Sequence, residues 1–426
     1  MNTISPDRSG PLALFSQRLE GVAGAERQQA VAALHRVGLP SRRVEAWKYT
    51  ALRALGQTSL AAPAATYDVT AARAVLDDVL AAQDTLAGLP RLVFVNGRHA
   101  PELSALPEAV KVTFFVDTPR FGTAAAPDRD PLVALNTALA EDGAQIQVEA
   151  GVDAGALLLL SIGLGGQDST FSFHPRHAVV LEAGARLALL CVQAGQGAYF
   201  HNPVTDISVG NGAALEHVTL QLEGDAAVSL GTVYANVAGE GVYDSFALGV
   251  DGLLLRHEVH ARLGASRAAV HVNGVQRLGT TQVGDMTSVI THAAPDCISR
   301  QTVRNVLDGH ARGVFQGKVL VEQIAQKTDG YQMNQALLLS PDAEIDAKPE
   351  LEIYADDVRC SHGATVGALD DEQLFYLRSR GVPEAQARQM LIEAFLDETL
   401  ALIAHEGAQA LCRAMLARKG GAGASA

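Results

Sequence analysis

The hydrophobic pattern divides the chain into three textures. From Leu12 to Val37 the apolar residues Phe15, Leu19, Val22, Val31, Leu34 and Val37 recur at helical spacings, and Gly38 then Pro40 end the run, which predicts one helix there. TAARAVLDDVLAAQDTLAG predicts another, after the linker-like LAAPAATYD. From about Pro90 the period shortens. Runs such as RLVFVNG, HAVVLEAG, VTLQLEG and GKVLVEQIA are β-rich and separated by Gly, Asp and Asn. Turn signals near Gly184, Gly212, Gly241, Gly264, Gly284, Gly309 and Asp342 recur about every 26 residues, the scale of a solenoid coil. EAGARLALL, GNGAALEHV, RLGASRAAVHV and SPDAEIDAKPEL each read as a tight turn, a small residue and a strand. Small residues let coils stack closely over a continuous core. The repeat is irregular, and spacing alone leaves other all-β folds open. After about Ala368 the pattern is helical again. Asp370 is a candidate N-cap for DEQLFYLRSRG, Gly381 its stop, and Pro383 the first position of a long helix. Met390, Leu391, Ala394, Phe395 and Leu402 form its expected apolar face. GAQALCRAMLARK follows as a shorter helix, with GGAGASA as a flexible tail. The resulting division is 1–88 helical, 89–367 β and 368–426 helical.

Composition narrows the class. The 426 residues are 48% hydrophobic and 19% charged, a globular balance with room for a sizeable core. The best apolar run, GALLLLSIGLGG, falls short of the roughly 18 residues a membrane helix needs. MNTISPDRSG lacks a basic segment followed by an apolar one, so no secretory signal is read. A net charge of −14 argues against a nucleic-acid backbone binder. Cys191, Cys297, Cys360 and Cys412 are far apart, with no C-x-x-C pair. The expectation is a cytoplasmic protein with reduced thiols.

Nucleotide and hydrolase signatures fail on their mechanics. GVFQGKV (Gly313–Val319) has three residues between its glycines where a P-loop needs four, and valine where Ser or Thr must reach Mg²⁺. GNGAAL lacks the last glycine of a dinucleotide fingerprint. HEVH (His257–His260) is one residue short of a zincin motif, and in a strand its odd offset sends the two imidazoles to opposite faces. HPRH (His174–His177) has the same offset. Both pairs read as surface or turn histidines. No G-x-S-x-G elbow is present.

One stretch keeps chemistry open. ADDVRCSHGATVG (Ala355–Gly367) holds Cys360 and His362 two residues apart, after Asp356 and Asp357. If the strand begun at Leu351 and Ile353 runs on to His362, the thiol and imidazole share a face, about 6–7 Å apart. Two ligands do not make a metal or cluster site, which wants about four. A half-site completed by another segment or chain and a packed strand end without chemistry both fit. Asp356 and Asp357 read as solvated, and Trp47 and Tyr49 as packing residues.

FQGKVLVEQIAQKTDGYQMNQALLLSPDAEIDAKPELEIYADDVRCSHGATVGALDDEQLFYLRSRG, Phe315 to Gly381, resembles without a gap the core of the SufB/SufD family of iron–sulfur cluster assembly scaffolds. THAAPDCISRQTVRNVLDGHARGVFQG extends the likeness upstream, and PSRRVEAWKYT resembles the SufD-type branch. The resemblance implies a right-handed parallel β-helix flanked by helical terminal regions. It also implies a non-enzymatic scaffold that docks the SufC ATPase through Ala368 to Lys419 and a SufB paralogue through the β-helix end. His362 matches the family's interface histidine, and Cys360 is its neighbour. A transient iron–sulfur cluster would form there with the partner chain. No cofactor is expected to bind the isolated chain firmly, and a flavin would belong only to the complex. A cluster-carrying SufB-like chain or homodimer is the nearest alternative. A β-helix carbohydrate-active enzyme is a more distant one, disfavoured by the lack of an acidic cluster in the repeats.

Overall fold

Two sheets of stacked parallel strands form the core of this computed structural model, which describes residues 10–56, 59–122, 124–125, 127–166 and 171–422. Sheet A pairs, in order, Arg98–His99, Arg91–Val95, Asp153–Leu164, Arg186–Gln196, Ala214–Leu222, Val242–Asp251, Ala269–Leu278, Ile298–Leu307, Asp329–Leu338 and Arg359–Gly367. Sheet B pairs Lys111–Phe114, Ala144–Val148, Arg176–Leu181, Val204–Val209, Val228–Val237, Leu254–Leu263, Val283–His292, Arg312–Val321 and Glu344–Ile353. The chain alternates between the sheets, which makes a β-solenoid of about eight turns with helices at both termini. This is the β-helix that the resemblance implies.

Register explains the irregular repeat. Leu187, Leu215, Tyr243, Val270, Ser299, Gly330 and Cys360 lie one above another. Each coil therefore takes roughly 27 to 31 residues, the variation being absorbed at the corners. Gly184, Gly212 and Gly309 have positive φ and lie between strands, as the turn signals predict. Gly284 does not: it lies within the strand Val283–His292, where an added Cβ would meet Leu278 and Gln276. GVFQGKV lies wholly in the strand Arg312–Val321, so no helix N-terminus faces its glycines.

The helical regions follow the predicted pattern in outline. The expected helix over Leu12–Val37 is broken: α1 spans Ser16–Glu20 and α2 Ala25–Val37. Gly24 sits between them at φ +95, a conformation that side chains resist. α3 (Val69–Ala81) is capped by Asp68, whose side chain accepts from the Thr70 and Ala71 amides. α4 (Pro131–Leu139), not read from the sequence, is capped by Asp130, and residues 132–139 are all buried. α5 (Asp371–Ser379) starts at the predicted cap Asp370. α6 (Glu384–Leu400) has Pro383 as its N-cap, one residue before the expected position. α7 spans Glu406–Ala422, and the rest of the tail lies outside the described residues. The predicted face of α6 is only partly right: Leu391 and Phe395 are half-buried, Phe395 against the core, but the face is otherwise displaced. Ala387, Ile392, Leu396 and Leu400 are buried, while Met390 is 42% and Leu402 50% exposed. Sheet A selects the face, because α6 packs across Ala269–Leu278 and Ile298–Leu307. No helix among the described residues is long and apolar enough to cross a membrane.

The N-terminal region is anchored to the outside of sheet B by buried charge. Trp47 is buried and lies over the Arg256 guanidinium, 4.2 Å from carbon to ring centroid. Tyr49, also read as packing, is only half-buried. Arg256 pairs with Asp285 and forks onto Glu258 at 2.9 and 2.8 Å. The Thr50 hydroxyl donates to Asp285. The Ala46 carbonyl accepts from Arg256 and from Gln316, at 3.2 and 3.1 Å. AWKYT (Ala46–Thr50) thus lies across three consecutive coils and joins the helical region to the solenoid.

Asp285→Ala leaves a buried guanidinium without its closest counter-charge. The expected loss is about 3–5 kcal/mol of unfolding free energy in urea titration. Arg267→Ala, which removes a pair with both side chains more than half exposed, is expected to leave the urea midpoint nearly unchanged.

Candidate functional site

The two ends of the solenoid differ. At the first end the antiparallel strands Arg98–His99 and Lys111–Phe114 close the stack. At the other, Glu344–Ile353 and Arg359–Gly367 are the outermost strands of their sheets. Such edges offer unpaired amides and carbonyls to an incoming strand. Cys360 and His362 lie on this last strand.

Parallel register decides where they point. Cys360 stacks on Gly330 and His362 on Gln332, both of which are buried. The Cys360 sulfur lies 3.3 Å from where a Gly330 Cβ would be. Both residues therefore occupy the inward side of the final coil, which has no further coil above it. Cys360 is half-buried against Val319, Val321 and Ala355, and His362 is exposed. Burial raises the Cys360 thiol pKa above its usual value. The shared face is as expected, but the strand is not continuous from Leu351. Sheet B ends at Ile353, a corner follows, and sheet A resumes at Arg359. The solenoid must turn there to stack Arg359–Gly367 on Asp329–Leu338. Asp356 and Asp357 lie in that exposed corner, where Asp357 pairs with Lys327 at 3.4 Å. They do not join Cys360 and His362.

The interior below the pair is unusual for a β-solenoid. One inward column reads Leu157, Leu189, His217, Ser245, Val272, Gln301, Gln332 and His362, passing from apolar to polar toward the open end. Gln332 is fully buried, yet neither atom of its amide has a hydrogen-bond partner among the described residues. Asn334 Nδ2 and Gln301 Nε2 are likewise without partners. Buried amides normally find partners, and these stand out beneath the open coil. Sequence reasoning missed Gln332 and Asn334. Their signal is the alternation Gly330, Gln332, Asn334 one coil before Cys360 and His362.

Deeper inside, Ala247, Met286, Val303 and Phe315 form an apolar cluster, and beyond it lies a small chamber of about 30 Å³. His177, His201, His217, His257 and Cys191 are among its lining. The odd-offset argument is right for HEVH: His257 faces the interior and His260 the outer surface. The surface-or-turn reading is not. His257, His174 and His177 are all buried: His257 and His177 because inward positions of a stacked strand are covered from both sides, and His174, between two strands, because it packs against the Phe15 and Phe200 rings. Burial pushes His177 and His217 down to about 3 and His257 to about 4, and raises the Cys191 thiol to about 12. The Cys191 thiol, protonated at neutral pH, is therefore a poor nucleophile.

A second candidate surface lies on the C-terminal helices. α6 and α7 pack on sheet A, where Arg277 donates to the Leu416 carbonyl at 3.0 Å and Arg304 lies over the Phe395 ring. α5 reaches away from the sheet, leaving Phe375 73% and Tyr376 58% exposed. Large apolar side chains exposed together mark an interaction face.

Comparison with known proteins identifies the family. The family model described as SUF system FeS cluster assembly, SufBD core domain, matches residues 164–395. The SufBD protein N-terminal region matches residues 13–158. The chain is 34% identical over 403 residues to the iron–sulfur cluster assembly protein SufD of Escherichia coli, covering 93% of this chain and 92% of that protein. A SufBD family iron–sulfur cluster assembly protein of Synechocystis is 31% identical over 418 residues, covering 91% and 89%. SufD of Bacillus subtilis is 33% identical over 138 residues, 32% of each chain.

The interior histidines predict an acid limb in stability. The folded pKa values of His177, His217 and His257 lie below the unfolded value of about 6.5, so the unfolded chain binds more protons between the two. Their contribution is complete above about pH 6.5 and is lost as pH falls toward 3–4, at up to about 1.4 kcal/mol per pH unit for each histidine. Urea midpoints measured across this window should fall with acid. His217→Gln is expected to flatten the fall.

Proposed function

Because the chain belongs to the SufBD family of iron–sulfur cluster assembly proteins, we propose that it is a SufD-type scaffold subunit, without catalysis of its own, working in the cytoplasm with a SufB paralogue and the SufC ATPase. The observation that carries this reading is the open final coil, where Cys360 and His362 face inward above the unpartnered Gln332 amide. A second solenoid docking end to end would pair with the exposed strand edges. It would also supply the ligands that Cys360 and His362 lack for a cluster, which is cargo rather than a resident group.

His362 is the better placed of the two. Its imidazole is exposed toward the partner, and a neutral ring nitrogen suits iron. Cys360 is half-buried with a raised thiol pKa, so at neutral pH it is mostly protonated until a metal replaces the proton. The C-terminal helices offer SufC the exposed Phe375 and Tyr376. ATP hydrolysis in SufC would then move α5 to α7, and with them the face of sheet A on which α6 and α7 rest.

The test is cluster formation under anaerobic conditions by the co-expressed complex, read as visible absorbance and bound iron. His362→Ala is expected to lose most of the cluster while the three subunits still copurify. A normal cluster in that variant would reduce the strand end to packing. A stoichiometric cluster reconstituted on this chain alone would favour the homodimer instead. Phe375→Asp with Tyr376→Asp is expected to abolish copurification with SufC without lowering thermal stability. Unchanged copurification would move the docking site elsewhere.

A further inference from the structure

Outside both surfaces described above, three potential ligands meet on the outer face of sheet B. Asp130 comes from the start of α4, and Glu258 and His260 from the strand Leu254–Leu263. One ligand atom from each lies within 4.8 Å of the other two. We propose that Asp130, Glu258 and His260 form a site for one divalent first-row transition-metal ion, with two carboxylate oxygens and one imidazole nitrogen as ligands and water on the open side. This proposal does not depend on the scaffold reading.

Each carboxylate is held by an oxygen that the metal would not need, and the imidazole by ring stacking. Asp130 Oδ1 accepts from the Leu132 and Val133 amides at 2.9 and 3.3 Å, which leaves Oδ2 bonded only to the Tyr234 hydroxyl at 3.2 Å. Glu258 Oε2 is fixed by the Arg256 fork, which leaves Oε1 facing His260 Nε2 at 2.9 Å. The His260 ring stacks on Tyr234, 4.4 Å between centroids and 5° from parallel. Ligands oriented from behind in this way are typical of metal sites. Three N/O ligands with an open position suit Zn²⁺, Fe²⁺, Mn²⁺ or Co²⁺. The His260 side chain is 26% exposed and Glu258 10%, so an ion can enter from solvent.

Charge points the same way. The trio and the groups tied to it comprise the carboxylates Asp130, Glu258, Asp285 and Asp206 and the guanidiniums Arg256 and Arg176. Four carboxylates against two guanidiniums leave two negative charges, which one divalent ion offsets. The competing account is a hydrogen-bonded strut between α4 and sheet B that needs no metal.

The full chain, stripped with a chelator, is titrated with Co²⁺ as an optical probe. The expected result is one equivalent with visible ligand-field bands and no near-ultraviolet sulfur charge transfer, which separates it from ions held by Cys360. Zn²⁺ should displace it and raise the thermal midpoint. Two variants preserve local structure: in Asp130→Asn the amide still caps α4, and in His260→Phe the ring still stacks on Tyr234. Each is expected to weaken binding at least about 10- to 100-fold, the range that loss of an outer partner alone can reach, and to lose the Zn²⁺ stabilisation. Melting without metal shows whether each variant is folded, and one folded variant suffices. Equal affinity in wild type and variants, or no saturable equivalent in the wild type, would overturn the proposal.

Discussion

The in-register parallel ladder is the constraint on which the structure rests. Each strand takes its hydrogen bonds from the coil before it and offers the same pattern to the coil after it. Residues one coil apart must therefore share a face, which makes an inward column continuous over the length of the solenoid. The same rule leaves a problem at the end of the stack. The last ladder has no successor, so its edge and its inward side chains are exposed together. Cys360 and His362 owe their position to this, and not to any local turn or cap.

The interior is mixed along its axis. Leucine, isoleucine and valine lie beside the histidine-lined chamber in the first coils, an apolar cluster around Met286 and Phe315 fills the middle, and the last coils bury glutamine and asparagine beside Val319 and Val321. An apolar interior continued to the final coil would present a greasy, self-complementary surface. The amides instead give that end hydrogen-bonding capacity that is directional and therefore selective.

The outer faces divide the remaining roles. Sheet A is covered by α3, α6 and α7 through leucine, valine and isoleucine contacts. Sheet B carries the N-terminal region through a buried strip of charge, Arg256 and Asp285 under Trp47 and Thr50. Apolar contact tolerates small shifts between layers, whereas a buried ion pair fixes one geometry. The N-terminal region is thereby held in register with the coils, and Asp130 is brought to Glu258 and His260.

What the sequence determined by itself was local or periodic. The three textures, the caps at Asp370 and Gly38, the failure of the P-loop and zincin look-alikes, and the shared face of Cys360 and His362 all depend on residues within a few positions of one another. The phrase PSRRVEAWKYT and the long run from Phe315 to Gly381 were enough to identify the family. Other features depended on residues brought together from distant parts of the chain, and only the tertiary structure decided them. Trp47 meets Arg256 because three coils present their outer faces to one extended segment. The buried face of α6 was chosen by sheet A, not by its own weak periodicity, which is why Met390 and Leu402 are exposed. His257 and His177 are interior because stacking covers an inward residue above and below, something no window of neighbours records. The break before Arg359 arose because a solenoid must turn a corner where its local pattern could equally have run on as a strand.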